Sequence, residues 1–194
     1  MYDFIKGKLA ESGPTHVIAE TGGMGYYIHT SLSTAAWAKG KENPKLFIHL
    51  LVKEDDMRLY GFSDKSEREI FRLLISVSGI GANTAMVMLS SLSPAEIKQA
   101  VESENADLIQ TIKGIGKKTA QRVIIELKDK MKKTETDGSS LIPGTASANI
   151  EEAVSALLML GFPKKRAEAV LNKIYKAKPT VSSEDAVKNA LKML

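Results

Sequence analysis

The chain has 194 residues, a net charge of +4, no cysteine and 43% hydrophobic residues. That length holds one ordinary domain or two to three small ones, and no apolar run approaches the ~20 residues of a bilayer-spanning helix. The composition excludes disulfides, a thiol nucleophile and a cysteine-based zinc site. His16, His29 and His49 lack metal-ligand spacing, and the N-terminal stretch does not read as a secretory signal. The expectation is a soluble cytoplasmic protein with no metal and no cofactor.

Charge by segment says more than the total. Residues 1–63 balance to zero, residues 64–133 carry +3, residues 134–148 carry −2 and residues 149–194 carry +3. Between Lys113 and Lys133 stand 8 basic and 2 acidic side chains, so a polyanion is expected there first.

Residues 1–63 read as short strands at Phe4–Ala10, His16–Glu20, Tyr26–Thr30, Lys45–Lys53 and Arg58–Phe62. Turn signals at Ser12-Gly13-Pro14, Gly22-Gly23 and Asn43-Pro44 separate them. Five strands and a helical turn near Ser33–Lys39 fit a small Greek-key barrel of the OB type. The Gly22-Gly23-Met24-Gly25 cluster is expected to be a hairpin turn, because no strand–GxGxxG–helix order surrounds it.

From Ser63 the period turns helical. Ser63 or Ser66 can cap a helix carrying Ile70, Phe71, Leu74 and Ile75. Helices are expected at Ala82–Leu92, after Ser93-Pro94-Ala95-Glu96 with its cap and N1 proline, at Asp107–Ile112, and at Lys117–Met131.

This region repeats itself. Gly79-Ile80-Gly81-Ala82-Asn83-Thr84-Ala85 returns 35 residues later as Gly114-Ile115-Gly116-Lys117-Lys118-Thr119-Ala120, with five of seven positions identical. Glycines permit a hairpin that other residues resist and leave backbone N–H groups unobstructed. Each loop runs into a helix N-terminus, which suits a phosphate oxygen. The pattern is a tandem helix-hairpin-helix, expected to hold DNA through Gly79, Ile80, Gly81, Gly114, Ile115, Gly116, Lys117, Lys118 and Arg122. Arg122 follows Lys118 by four residues, so the two share a helix face. The first copy has Ala82 and Asn83 in place of the lysines and is expected to be the weaker half.

Between the last two strands lies the acidic run Glu54-Asp55-Asp56. Neighbouring strand residues point to opposite faces, which suits a two-metal site poorly. In a DNA binder such a tip repels phosphates and forces strands apart.

Residues 134–148, rich in Gly, Ser, Thr, Ala and Pro, read as a flexible linker. Beyond it, residues 149–194 are expected to form a three-helix bundle with a UBA-like Leu-Gly-Phe turn. Asn149 would cap the first helix, Gly161 would stop it, Pro163–Ala177 would be the second, and Ser182 or Ser183 would open the third. The phosphate-loop pattern G-x-x-x-x-G-K-[ST] is absent, because Lys118 follows Gly116-Lys117 and Thr111 stands where the first glycine belongs. No catalytic residue is assigned.

An acidic-tipped barrel, paired Gly-Ile-Gly hairpins, a linker and a small helical domain, in that order, resemble the bacterial RuvA family, the Holliday-junction-binding subunits of the branch-migration machine. The matching residues are Gly22-Gly23-Met24-Gly25-Tyr26, Lys53-Glu54-Asp55, Leu59-Tyr60-Gly61-Phe62, Ser78-Gly79-Ile80-Gly81 and Gly114 through Ala120. Lys113 departs from the family's usual proline, and Asp56 is an extra acid.

The resemblance implies an α+β multidomain protein: an N-terminal OB-fold β-barrel at 1–63, a central tandem helix-hairpin-helix domain at 64–133 and a C-terminal UBA-like bundle at 149–194. It implies a homotetramer that holds four-way junction DNA open, with Glu54 and Asp55 as acidic pins at the crossover. The chain would be non-catalytic alone and would recruit the RuvB hexameric ATPase through Leu157, Leu160 and Leu191. The RuvC resolvase would join the same complex in recombination and repair.

Overall fold

The computed structural model describes residues 2–138 and 145–194, with side chains for 2–131 and 149–194. Two compact units result, Met1–Asp137 and Gly138–Leu194.

The first unit begins with a six-stranded sheet in the order β1-β5-β6-β4-β3-β2. The strands are β1 (Phe4–Lys6), β2 (Lys8–Ser12), β3 (His16–Thr21), β4 (Met24–Thr30), β5 (Lys45–Val52) and β6 (Met57–Phe62). All pairs are antiparallel except β4 with β6. The expected single strand Phe4–Ala10 is two strands: β1 pairs with β5 and β2 pairs with β3, at opposite ends of the order. Gly7 makes the corner, and the sheet closes on itself there. A Cβ at Gly7 would lie 2.1 Å from the Glu20 carbonyl oxygen, so no larger residue fits this close approach. The barrel interior follows from the alternation of each strand, with Ile5, Val17, Ala19, Ile28, Leu46 and Ile48 buried. This is the OB-type barrel expected.

A short helix, α1 (Leu32–Ala38), leads from β4 towards β5, with the Ser31 side chain accepting from the Thr34 N–H. Next, α2 (Lys65–Ile75) is capped by Asp64 rather than by either expected serine. The carboxylate of Asp64 accepts from the Glu67 N–H at 2.9 Å. Phe71 of this helix packs 5.0 Å, ring to ring, from both Tyr60 and Phe62 of β6. One hydrophobic core therefore runs from the outer face of β6 into the helices.

Two polar residues of α2 are buried in the same junction. The Glu67 carboxylate accepts from the hydroxyls of Ser31 and Thr34 at 2.6 Å each, and from Ser63 through its N–H at 3.0 Å and its hydroxyl at 3.1 Å. Arg68 donates through Nη1 to the Asp3 carbonyl and carboxylate at 2.7 Å each and to the Ile48 carbonyl at 3.3 Å. That hydrogen bond holds the Asp3 carboxyl below the ordinary carboxylate range. The Glu67 carboxylate is satisfied from several sides, whereas Arg68 keeps its Nε buried without a hydrogen-bond partner. Together these contacts favour one arrangement of barrel and helices, because misplacement would strand further buried polar groups.

The remaining helices are α3 (Ala82–Ser91), α4 (Pro94–Glu102), α5 (Ala106–Gln110) and α6 (Lys117–Gly138). The cap before α4 is reciprocal: Ser93 and Glu96 each take the other's backbone N–H. Helix α6 runs past the expected end at Met131 and into the stretch read as linker, because Thr134 to Asp137 contain no helix breaker. Residues 139–144, the middle of that stretch, lie outside the described residues.

The second unit holds α7 (Thr145–Met159), α8 (Lys164–Ala177) and α9 (Ser183–Leu191). Asn149 lies inside α7 instead of capping it; Ala146 and Ala148 carry the helix further back. Gly161 does stop it, with bonds from the Gly161 N–H to Leu158 O and from the Phe162 N–H to Leu157 O. The core is formed by Ala153, Leu157, Ala167, Leu171, Tyr175, Val181, Ala186 and Ala190.

Candidate nucleic-acid interface

The repeat in sequence is a repeat in space. In the first hairpin, between α2 and α3, the Ile80 N–H bonds to Val77 O at 3.1 Å; in the second, between α5 and α6, the Ile115 N–H bonds to Ile112 O at 3.1 Å. Gly79 has φ +89° and Gly114 has φ +90°. Both central isoleucines are buried in the shared core, as are Ala85 and Ala120 one turn into the helices that follow.

The two glycines of each pair do different work. Gly79 and Gly114 occupy a backbone region that other residues rarely adopt, so the turn itself demands them. Gly81 has φ −86°, and a Cβ built on Gly81 or Gly116 meets nothing within 4 Å. No packing contact among the described residues requires glycine at these two positions. Their bare backbone leaves the helix N-terminus open to something outside. Gly81 offers no capping side chain to α3, so the first N–H groups there point outward without an intrahelical partner.

Lys117 and Lys118 are exposed at the start of α6. Arg122 reaches back to the first hairpin, where Nη1 donates to Ser78 O at 3.3 Å and lies 3.8 Å from the Cβ position of Gly79. It therefore ties the two hairpins together. Of the later lysines, Lys128 pairs with Glu104 and Lys130 donates to Ser76 O at 2.7 Å.

The acidic tip joins β5 to β6 and is closed by the Lys53 N–H bonding to Asp56 O at 2.8 Å. Its three acids are not equivalent. Asp56 accepts from Arg58 Nε at 2.5 Å, and this carboxylate raises the guanidinium pKa further. Glu54 and Asp55 are exposed, with no ion pair to any other described residue. The outward negative charge of the tip is theirs. At the base of this hairpin, Lys53, Asp56 and Arg58 line one groove of about 150 Å³ with Gly81, Ala82 and Asn83. In the sequence Lys53 belongs only to the acidic-tip match and not to the DNA contacts, and Arg58 does not stand out. The signal available was the alternation of β6, which places Arg58 on the face of Tyr60 and Phe62.

In the second unit, Leu157 is 0% exposed and packs the bundle core, so it has no surface to offer a partner. Leu160 and Leu191 are 58% and 44% exposed. They share one end of the bundle: α8 begins just after Leu160, and Arg166 in its first turn donates to the carbonyl of Leu194 beyond the end of α9. Leu158, Met159 and Met193 are exposed at that end too and were not singled out in the sequence.

Three family models match the chain. The RuvA N terminal domain covers residues 1–61, the SAM-like helix-hairpin-helix tandem covers 71–129 and the RuvA C-terminal domain covers 148–194. Among curated relatives, the "Holliday junction branch migration complex subunit RuvA" of Christiangramia forsetii is 50% identical over 194 residues. Proteins of the same name from Bacteroides thetaiotaomicron and Cytophaga hutchinsonii are 48% and 45% identical. In each case all of this chain and all of the relative are covered. The hairpins, the barrel and the bundle are thus matched from end to end, and the chain belongs to the RuvA family.

Proposed function

We propose that this chain binds four-way DNA junctions through their backbones, holds them open, and delivers them to a separate ATP-driven motor. One observation carries the DNA reading: two hairpins of the same geometry present helix N-termini whose glycines, Gly81 and Gly116, make room for no neighbour within the fold. Contacts of this kind go to phosphates, which position a protein and carry no base sequence. The residues in contact are Gly79, Ile80 and Gly81 of one hairpin, with Gly114, Ile115, Gly116, Lys117, Lys118 and Arg122 of the other; the isoleucines act from the core as plugs. Glu54 and Asp55 are the pins that keep duplex away from the crossover.

A junction has four arms, and the assembly that matches it is a homotetramer. Exposed apolar side chains on the barrel support self-association, among them Phe4, Met24, Tyr27, Val52 and Met57. The apolar bundle end with Leu160 and Leu191 is the motor contact, the motor being the RuvB hexameric ATPase of the complex that the relatives' name describes. The chain itself is non-catalytic, acts in the cytoplasm, and shares its junction with the RuvC resolvase. The boundaries 1–63, 64–133, 134–148 and 149–194 divide these tasks.

A gel shift of the full chain on a four-way junction and on plain duplex tests this. Tighter junction binding that weakens steeply with salt is expected, and Lys117→Ala should weaken it. Equal affinity for the two DNAs overturns the junction reading. Metal-dependent cleavage by the chain alone overturns the non-catalytic one. Replacing Glu54 and Asp55 together by Lys should raise duplex affinity by about tenfold, since repulsion at the tip becomes attraction. An unchanged preference would remove the pin role.

A further inference from the structure

The first hairpin lacks the lysines of the second: Ala82 and Asn83 stand where Lys117 and Lys118 stand. Its charge has to come from elsewhere in the fold or be missing. Strand β6 shows where it comes from. Tyr60 and Phe62 lie under the helices and are buried, while Arg58, two residues nearer the acidic tip on the same face, is exposed. The helical cover stops at this point, and the groove shared with Gly81, Ala82 and Asn83 begins.

The guanidinium of Arg58 is held rather than loose: Asp56 takes its Nε at 2.5 Å. A guanidinium bound at its Nε edge keeps its Nη edge for another anion, in a planar geometry matched to phosphate. Lys53 adds a second cation to the same groove.

We propose that Arg58 is a further phosphate-contacting residue of the first hairpin, oriented by Asp56, and that it supplies from the barrel the charge that the hairpin's own helix lacks. This rests on the reading of the hairpins as junction-binding elements. In this arrangement Asp56 is a positioning residue. It also explains why three adjacent acids leave two for repulsion: the third is committed to aiming a cation. Attraction and repulsion then alternate within one β-hairpin, with Arg58 and Lys53 at its base and Glu54 and Asp55 at its tip.

The test uses full-length protein with Arg58→Ala and with the double variant Arg58→Ala, Ala82→Lys, which gives the first hairpin the lysine of the second. Junction affinity is measured across a salt series, with the melting temperature as a check of folding. Arg58→Ala should lower junction affinity about tenfold and flatten the salt slope by about 0.9 for each protomer in contact, as loss of one phosphate contact requires. The double variant should restore both. An unchanged affinity and slope in Arg58→Ala overturns the proposal, leaving Arg58 a partner of Asp56 alone. So does a loss that Lys at position 82 fails to repair. Absence of junction preference in the unaltered chain is a different failure, that of the underlying reading.

Discussion

The two hairpins share a backbone and differ in chemistry. Gly79 and Gly114 have the same φ to within a degree, and the bonds that close the two turns have the same length. The second hairpin opens onto Lys117 and Lys118, whereas the first opens onto Ala82 and Asn83 and lies beside Arg122 of α6 and the cations of the acidic-tipped strand pair. Geometry is therefore held within each repeat, while charge is drawn from whichever element packs nearby. A repeated motif without lysines of its own can still have cations set beside it by its neighbours. Its backbone, which nothing else can replace, has to stay.

The largest effect should come from the shared geometry. Ile80→Ala and Ile115→Ala each empty a buried plug, and each should cost about 2–5 kcal/mol of stability in denaturant unfolding. Similar losses at the two sites would confirm that the hairpins are structurally equivalent. A cost under about 0.5 kcal/mol at either site would show that hairpin to be only loosely joined to the core.

Next come the glycines, which separate folding from binding. Gly114→Ala places a side chain at φ +90° and should cost about 1–3 kcal/mol. Gly116→Ala meets no neighbour within 4 Å. It should cost no more than about 1 kcal/mol, that of replacing glycine by alanine at a helix start, while weakening junction binding by more than this. Should Gly116→Ala bind as tightly as the unaltered protein, its bare backbone is not an approach route for phosphate.

A smaller effect is expected at Arg122, which belongs to one hairpin by sequence and to both by contact. Arg122→Ala breaks the bond to Ser78 O and removes a cation from between the two turns. Junction affinity should fall by about tenfold with stability within about 0.5 kcal/mol, because a single exposed hydrogen bond contributes little. A loss no greater than that of a distant surface lysine would reduce Arg122 to a structural link.

Much of this was legible in the residues. The 35-residue repeat announced the hairpins because turn chemistry is local: glycine, isoleucine and glycine act within a few positions of one another. The break at Gly7 was hidden, since Phe4–Ala10 reads as one strand until Glu20 of another strand is seen to press on it. Arg58 was hidden for the same reason, its neighbours on α3 being more than twenty residues away along the chain. Leu157 and Leu160 look alike in sequence. Their fates diverge because α7 turns the first into the core and ends before the second can follow. Local rules set the turns and caps, and tertiary packing decided which side chains remained free to bind.

The smallest expected effect is a pH dependence that belongs to the first hairpin's side of the molecule. His29 lines a cleft with Asn83 and Met86 of α3 and lies 5.4 Å, ring to ring, from Tyr60. Burial lowers its pKa from the ordinary 6.5; Arg58 and His16 lower it further, and Asp56 opposes them. His49 on β5 is lowered as well, first by burial and then by Arg72 and Arg68, against Glu69. A histidine with a depressed folded pKa binds protons more readily once unfolded. Its contribution to stability is thus complete above about pH 6.5 and is lost as pH falls through the folded value. The melting temperature should decline from pH 7 to pH 5, and His29→Asn and His49→Asn should each flatten that decline. The second hairpin has no histidine beside it among the described residues, so its contribution to junction binding should follow salt and not this titration. A decline equally steep in the two variants would place the titration elsewhere and remove the two histidines as its source.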